Sequence, residues 1–222
     1  EEPVLEVLEK QGLDLRYILL THHHPDHAGG VPELLEEYSA TVFGPADSRI
    51  PFVQHICRDS DRIQLTDLGV EFRVLEVPAH TRSHIAFYGE HVLFSGDTLF
   101  SVGCGRFFEG TPADMQASLD KLAALPDETQ NYCAHEYTRA NCAFALQVEP
   151  DNPALQARAR EVDKLRDAGK ITLPSSLGAE KASNPFLRTR EPSVVTAARR
   201  LDPDAAPGIS TMAVIRAWKD RF

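Results

Sequence analysis

The 222-residue chain contains no uninterrupted apolar stretch near the ~20 residues that a membrane-spanning helix needs, and no signal-peptide pattern opens it. A membrane-spanning protein is therefore not expected. The compartment read from this is the cytoplasm, or the mitochondrial matrix if a targeting segment has been removed. Basic charge is in short supply: 23 Lys and Arg face 33 Asp and Glu, for a formal net charge of −10. That balance excludes general nucleic-acid binding, which rests on clustered cations neutralising phosphates. It leaves small substrates open, because they feel the local field of a pocket and not the total charge. Cysteine is scarce too. Cys57, Cys104, Cys133 and Cys142 have no paired CxxC spacing and are too few for a disulfide scaffold in so long a chain, so free thiols in a reducing compartment are expected. Cys133 stands two residues before His135, but on the apolar run Asn131-Tyr132-Cys133-Ala134 it reads as a buried small residue. Internal repeats and low-complexity segments are also missing.

What is present is an ordinary globular composition, 42% hydrophobic and 25% charged, on a chain long enough to bury a real core. Short apolar runs separated by turns fill its first two-thirds. Residues 16–20, 70–77, 84–88, 91–95 and 131–134 read as strands, with helices at 31–38 and 112–125. The second helix opens on Thr111-Pro112, a cap followed by proline at the first helical position, and carries Met115, Leu119 and Leu122 on one face. Beyond about residue 136 the strand signal stops. Residues 138–149 and 153–168 read as helices, the latter with Leu155, Ala159, Val162 and Leu165 at helical spacing. A Pro, Ser and Gly-rich stretch at 172–185 follows, then helices at 192–201 and 209–221. An α/β domain over 1–136 and a helical domain over 137–222 are predicted.

Four times, a predicted strand ends and a His or Asp follows at once. Thr21-His22-His23-His24-Pro25-Asp26-His27 follows the first run; His80 follows VLEVPA, Asp97 follows VLFSG and His135 follows NYCA. Strand ends of an α/β sheet are where side chains from distant segments converge, so these loops are expected to share a pocket. Imidazole and carboxylate are good ligands for zinc and its neighbours. In an extended segment His22 and His24 point the same way and His23 the other, since side chains alternate. Asp26 and His27 lie further along, placed for a second ion, and Asp97 has two oxygens with which to bridge. The expected set is His22, His24 and His80 on one ion, Asp26, His27 and His135 on the other, and Asp97 linking them. His55 and His91 lack such a context and read as ordinary residues. His84 reads either as a support behind a ligand or as a core histidine.

The loop His22-x-His24-x-Asp26-His27, with His80, Asp97 and His135 downstream, resembles the metallo-β-lactamase superfamily. Flanking motifs narrow the resemblance to glyoxalase II, the hydroxyacylglutathione hydrolases. They are Gly96-Asp97-Thr98-Leu99-Phe100, Gly103-Cys104-Gly105-Arg106-Phe107, Cys133-Ala134-His135-Glu136-Tyr137-Thr138, Asn184-Pro185-Phe186-Leu187-Arg188 and Trp218-Lys219-Asp220-x-Phe222. The resemblance implies an αββα sandwich followed by a helical glutathione-binding domain, with Asp26 and Asp97 serving catalysis and Arg106, Tyr137, Arg216 and Lys219 contacting glutathione. Phe108 stands where the family often has a glutathione-contacting tyrosine. Ala79 and Ser83 replace glycines. Glu1 opens directly in a helix, so the first strands of the family's fold are expected to be missing, through trimming or a short first sheet.

The implied reaction is hydrolysis of S-D-lactoylglutathione to glutathione and D-lactate, the thioester step of methylglyoxal detoxification. Two divalent ions, zinc first with iron and manganese suited by the same ligands, would lower the pKa of a bridging water toward ~7 and supply hydroxide as nucleophile. The thiolate leaving group, whose conjugate acid has a pKa of ~8.5, needs no general acid. Two ions less two carboxylates and a hydroxide leave a positive centre; with Arg106, Arg216 and Lys219 it suits an anionic, peptide-like substrate. A monomer acting on a small glutathione thioester is expected, with no nucleic-acid or membrane partner. The competing readings are a mononuclear iron persulfide dioxygenase of the same superfamily and a metal- or glutathione-binding module without activity.

Overall fold

The structure, a computed structural model, describes residues 2–222. It divides into two compact units: residues up to Glu76 together with Ser83–Glu90, and Val77–Arg82 together with His91–Phe222.

The first unit opens with α1 (Glu2–Gln11), as its amphipathic sequence implies, and β1 (Tyr17–Leu19). Next come α2 (Pro25–Ala28), α3 (Val31–Glu37), β2 (Thr41–Pro45), β3 (His55–Cys57), β4 (Arg62–Leu65), β5 (Val70–Glu76) and β6 (Ile85–Gly89). Strands β1, β2 and β3 are parallel, with Tyr17 opposite Thr41 and Phe43 opposite His55. Strands β4, β5 and β6 form an antiparallel meander. Leu20, Ala28, Val31, Val42 and Ile50 build a core cluster against the parallel strands. The strands over 41–65 were not predicted. Gly44-Pro45 reads as a turn signal, yet Gly44 lies within β2 because a Cβ there would meet Val53 Cγ2 at 2.9 Å and Leu20 Cβ at 3.3 Å. Strand β3, three residues long, is too short to display an alternation, and β4 alternates exposed Arg62 and Gln64 with buried Ile63 and Leu65 over only four residues.

The second unit holds β7 (Val92–Gly96), β8 (Leu99–Phe100), β9 (Gly103–Cys104), α4 (Pro112–Ala123) and β10 (Gln130–Cys133). They are followed by α5 (Thr138–Val148), α6 (Pro153–Asp167), β11 (Ser175–Ser176), α7 (Leu177–Ser183), α8 (Pro192–Arg199) and α9 (Ile209–Lys219). β7 and β10 run parallel, β11 pairs antiparallel with β10, and β8 and β9 form a short hairpin. The predicted start of α4 is present as a full capping box: the Thr111 side chain accepts from the Asp114 N–H while the Asp114 carboxylate accepts from the Thr111 N–H. Asn152 caps α6 by accepting from the Ala154 and Leu155 N–H groups. The inner face of α6, Leu155, Ala159 and Val162, packs with Val102, Cys142 and Ala145. Full burial of Leu155 and Val162 contributes about 1.5–3 kcal/mol each.

The stretch 172–185, expected to be irregular, contains both β11 and α7. Its composition hides them: α7 buries a single large apolar side chain, Leu177, and owes its start to Ser176, whose hydroxyl accepts from the Ala179 N–H.

Candidate functional site

In the first unit, the chain leaves β1 and stays extended through Thr21-His22-His23-His24 before α2 begins at Pro25. Alternation then does what the sequence implies. His22 Nε2 lies 3.1 Å from His24 Nδ1. Two imidazole nitrogens each ~2.0–2.1 Å from one tetrahedral ion stand about 3.3 Å apart, so this pair has the spacing of co-ligands. Thr21 Oγ1, 3.1 Å from His22 Nδ1, steadies the ring from behind. On α2 the His27 ring lies 4.0 Å from that of His22, and its Nε2 lies 3.7 Å from an oxygen of the exposed Asp26. His23 turns the other way, as predicted, toward Asp47 at 3.4 Å. His84 is fully buried and its ring stacks on His22 with centroids 4.7 Å apart.

Asp47 was not singled out in the sequence. It accepts from Arg49 Nη2 at 2.7 Å and Ser83 Oγ at 2.6 Å. The Arg49 guanidinium above all, opposed by desolvation, holds its carboxyl well below the usual carboxylate range. The signal was available: Asp47 stands two residues past the end of β2, much as Asp97 stands past β7.

In the second unit, β7 and β10 are parallel neighbours, so Asp97 and His135 emerge side by side. Asp97 Oδ2 is 3.4 Å from His80 Nε2 and 3.5 Å from His135 Nε2. His80 Nδ1 lies 3.1 Å from the Arg106 carbonyl oxygen. A carbonyl only accepts, so Nδ1 is the donor there and Nε2 is the nitrogen turned toward the carboxylate. An imidazole nitrogen and a carboxylate oxygen 3.4 Å apart have the spacing and donor types of two groups that share one divalent ion. This is the tautomer and second-partner arrangement of a metal-ligating histidine. The residues thus fit a divalent ion. Gly105 belongs to the same packing: a Cβ there would meet the Asp97 carbonyl oxygen at 2.0 Å and His80 Nδ1 at 3.2 Å.

The residues expected to meet the substrate lie in this unit as well. Phe108 is exposed, its ring 5.2 Å from that of His80. Tyr137 is also exposed and stacks on His135 at 4.9 Å. Arg106 Nε lies 3.4 Å from Asp220 Oδ1, the oxygen to which Arg216 Nη2 donates at 3.0 Å. Arg216 is buried and also donates to the Cys104 carbonyl. One turn on, Lys219 donates to Asn141 Oδ1 and lies over the Phe144 ring at 5.3 Å. Burial, then the neighbouring Arg216, push its pKa down to about 8. Cys133 is a buried small residue, as expected.

Residues 1–135 match the model of the metallo-beta-lactamase superfamily, and residues 136–222 match that of the hydroxyacylglutathione hydrolase C-terminus. The chain is 52% identical over 221 residues to the hydroxyacylglutathione hydrolase of Photobacterium profundum, covering 99% of this chain and 86% of that protein. The chain belongs to the hydroxyacylglutathione hydrolases. Its fold is accordingly a metallo-β-lactamase domain followed by the family's helical C-terminal domain, the α/β class that the sequence implied. The fold is shared with the crystal structure of ETHE1 from Myxococcus xanthus, at 23% identity and a TM-score of 0.64, over 98% of this chain and 82% of that one. TTHA1623, solved in a di-iron-bound form, is 26% identical with a TM-score of 0.59, over 83% of this chain and 84% of that one. Family fold and His/Asp donor set together support divalent-metal binding.

Proposed function

We propose that this chain hydrolyses glutathione thioesters, S-D-lactoylglutathione first among them, releasing glutathione and D-lactate and so serving methylglyoxal detoxification. The observation that carries the reading is Asp97 Oδ2 facing the ring nitrogens of His80 and His135, in a chain whose remainder matches the hydroxyacylglutathione hydrolase C-terminus. His22, His24 and His80 would hold one divalent ion and Asp26, His27 and His135 a second, with Asp97 bridging. The di-iron form of TTHA1623 supports a two-ion reading; zinc is the metal proposed here. When bound, the two ions supply Lewis acidity, bringing the pKa of water toward ~7 and stabilising an oxyanion.

The chain's own residues do the rest. Residues 1–136 carry the metal ligands together with Arg106 and Phe108, and residues 137–222 the rest of the glutathione grip. Arg106, Tyr137, Arg216 and Lys219 orient the anionic tripeptide, and Phe108 beside His80 presents an apolar surface that keeps bulk water from the acyl group. No general acid is assigned, because the glutathione thiolate leaves unprotonated. No described helix is long and apolar enough to cross a membrane. We place the protein in the cytoplasm as a monomer, in keeping with four unpaired thiols.

Metal analysis and thioester hydrolysis on one preparation test the reading. The metal-loaded protein should approach two ions per chain and turn over S-D-lactoylglutathione, and Asp97→Ala should lower both. A fully active protein holding one ion would overturn the dinuclear assignment, and a loaded protein without turnover would overturn the activity.

A further inference from the structure

The turn that carries the chain from Asp97 to Arg106 is held almost residue by residue from outside. The Leu99 carbonyl accepts from Asn131 Nδ2 at 3.1 Å and the Ser101 carbonyl from Asn141 Nδ2 at 2.9 Å. Asn184 Nδ2 donates to the carbonyls of Phe100 and Gly103, at 3.2 and 3.0 Å. The Val102 N–H donates to Glu180 Oε2 at 2.8 Å, and the same oxygen accepts from Asn184 Nδ2 at 3.0 Å. Glu180 and Asn184 are 1% and 0% exposed. They reach the turn from α7 and its C-terminal end, some eighty residues away in sequence.

What they hold is a strained backbone. Val102 has φ +57° and is completely buried. A β-branched residue in the left-handed region is an outlier that persists only where its surroundings over-determine it. Packing alone would have buried the turn with apolar side chains, at no desolvation penalty. A buried carboxyl aimed at one N–H, and a buried amide aimed at the carbonyls on either side of it, do something more specific: they fix that φ. The two ends of the turn are the reason it matters. One end is Asp97; the other is Arg106, whose carbonyl orients His80, with Gly105 packed directly on the Asp97 carbonyl between them.

We propose that Glu180 and Asn184 are positioning residues: by clamping the strained turn at Val102 they set Asp97 and the His80 ring in the geometry that binds metal. The inference rests on the metal reading above, and it assigns a role in the metal site to the helical region, which supplies none of the proposed ligands. Groups hydrogen-bonded directly to metal ligands alter metal affinity by about ten- to hundredfold when removed, and Glu180 and Asn184 act one step further out, through the turn, so a smaller effect is expected.

The test is metal affinity measured by competition with a chromophoric chelator, alongside thermal stability. Glu180→Ala and Asn184→Ala should each weaken metal binding, by about threefold to tenfold, below the range for groups bonded directly to a ligand. Glu180→Gln keeps an acceptor for the Val102 N–H and should bind metal nearly as wild type does. Val102→Gly adopts the left-handed conformation without a clamp. It should restore metal affinity in the Asn184→Ala background even though the lost valine packing lowers Tm, an effect that a merely stabilising role for Asn184 would not produce. Folded Glu180→Ala and Asn184→Ala variants with wild-type affinity would overturn the proposal. Should those variants not fold, amide exchange in the wild-type protein decides. The Val102 N–H should exchange as slowly as the core strands in both metal-free and metal-loaded protein, and rapid exchange in the metal-free form would overturn a preset clamp. A wild-type protein that binds no divalent ion would instead overturn the proposed function.

Discussion

Lys219 is a cation in the wrong medium. Burial and the neighbouring Arg216 lower its pKa from 10.5 to about 8, so the charge needed to grip a substrate carboxylate is only partly retained just above neutrality. The unfolded chain binds the proton more tightly, so between about pH 8 and 10.5 this group's contribution makes stability rise with pH. Substrate binding runs the opposite way. The KM for the glutathione thioester should climb as pH passes about 8, while Lys219→Ala should show a KM raised tenfold to hundredfold, flat across that window, with kcat nearly unchanged. A charge-assisted hydrogen bond contributes about 1.5–3 kcal/mol, and a contact equal in ground and transition states affects KM alone. A wild-type KM in Lys219→Ala would remove it from the binding site. Gly105 makes a second prediction. Its absent Cβ leaves room for the Asp97 carbonyl at what would be 2.0 Å, so Gly105→Ala must displace the turn. Metal content and activity should fall together, measured as ions per chain and kcat on one preparation. Neither residue's role follows from its own type. Asp97 and His135 were legible because each follows directly on a strand, whereas the depression of the Lys219 pKa depends on burial and on the charge of Arg216.

Among the elements, α4 is the one whose sequence and structure agree at every level. Thr111, Pro112 and Asp114 specify its start; Met115, Leu119 and Leu122 are fully buried. Thr111→Ala removes the cap, which costs about 1 kcal/mol, or roughly 2–4 °C in Tm for a chain of this size. Because the cap touches no proposed ligand, kcat should be unchanged; a loss of activity beyond the loss of folded protein would tie α4 to the site. The less legible elements share a physical cause. Strand β2 contains a glycine that close packing requires, strand β3 is shorter than two periods of alternation, and α7 begins with a serine cap in a segment rich in small residues. Each is specified by what it packs against and not by its own pattern. The strand ends that carry His22 and Asp97 were the easiest to find because their strands, YIL and VLFSG, are mostly apolar; the strand before His135, QNYC, gives a weaker signal. The clamp at Glu180 and Asn184 was the hardest, since nothing local couples those residues to a turn some eighty positions earlier.

For the whole chain, the assignment of chemistry depends as much on an omission as on the ligands: the reading gives no residue the task of protonating a leaving group. A thiolate departs unaided, while an alkoxide does not. The ratio of kcat/KM for a glutathione thioester to that for its matched alkyl oxygen ester should therefore be large, on the order of a hundredfold or more. Equal values would mean that a proton donor has been overlooked, and Tyr137, stacked on His135, is the first to mutate.

The cysteines acquire a meaning from the same chemistry. A thioester is an acyl donor to any accessible thiolate, so a protein that handles one risks modifying itself. Cys57, Cys104, Cys133 and Cys142 are all unpaired and buried. Burial pushes Cys57 and Cys133 up to about 11 and Cys142 to about 12, and raises Cys104 as well, each by desolvation first. At neutral pH the thiolate populations of Cys57, Cys133 and Cys142 are on the order of one part in ten thousand or less, and burial acts in the same direction on Cys104. The chain should survive prolonged turnover without S-acylation. Native protein should take up no thiol-directed alkylating reagent, while unfolded protein should take up one equivalent at each of the four positions. Labelling of any one of them in the folded state would locate the weak point in this self-protection.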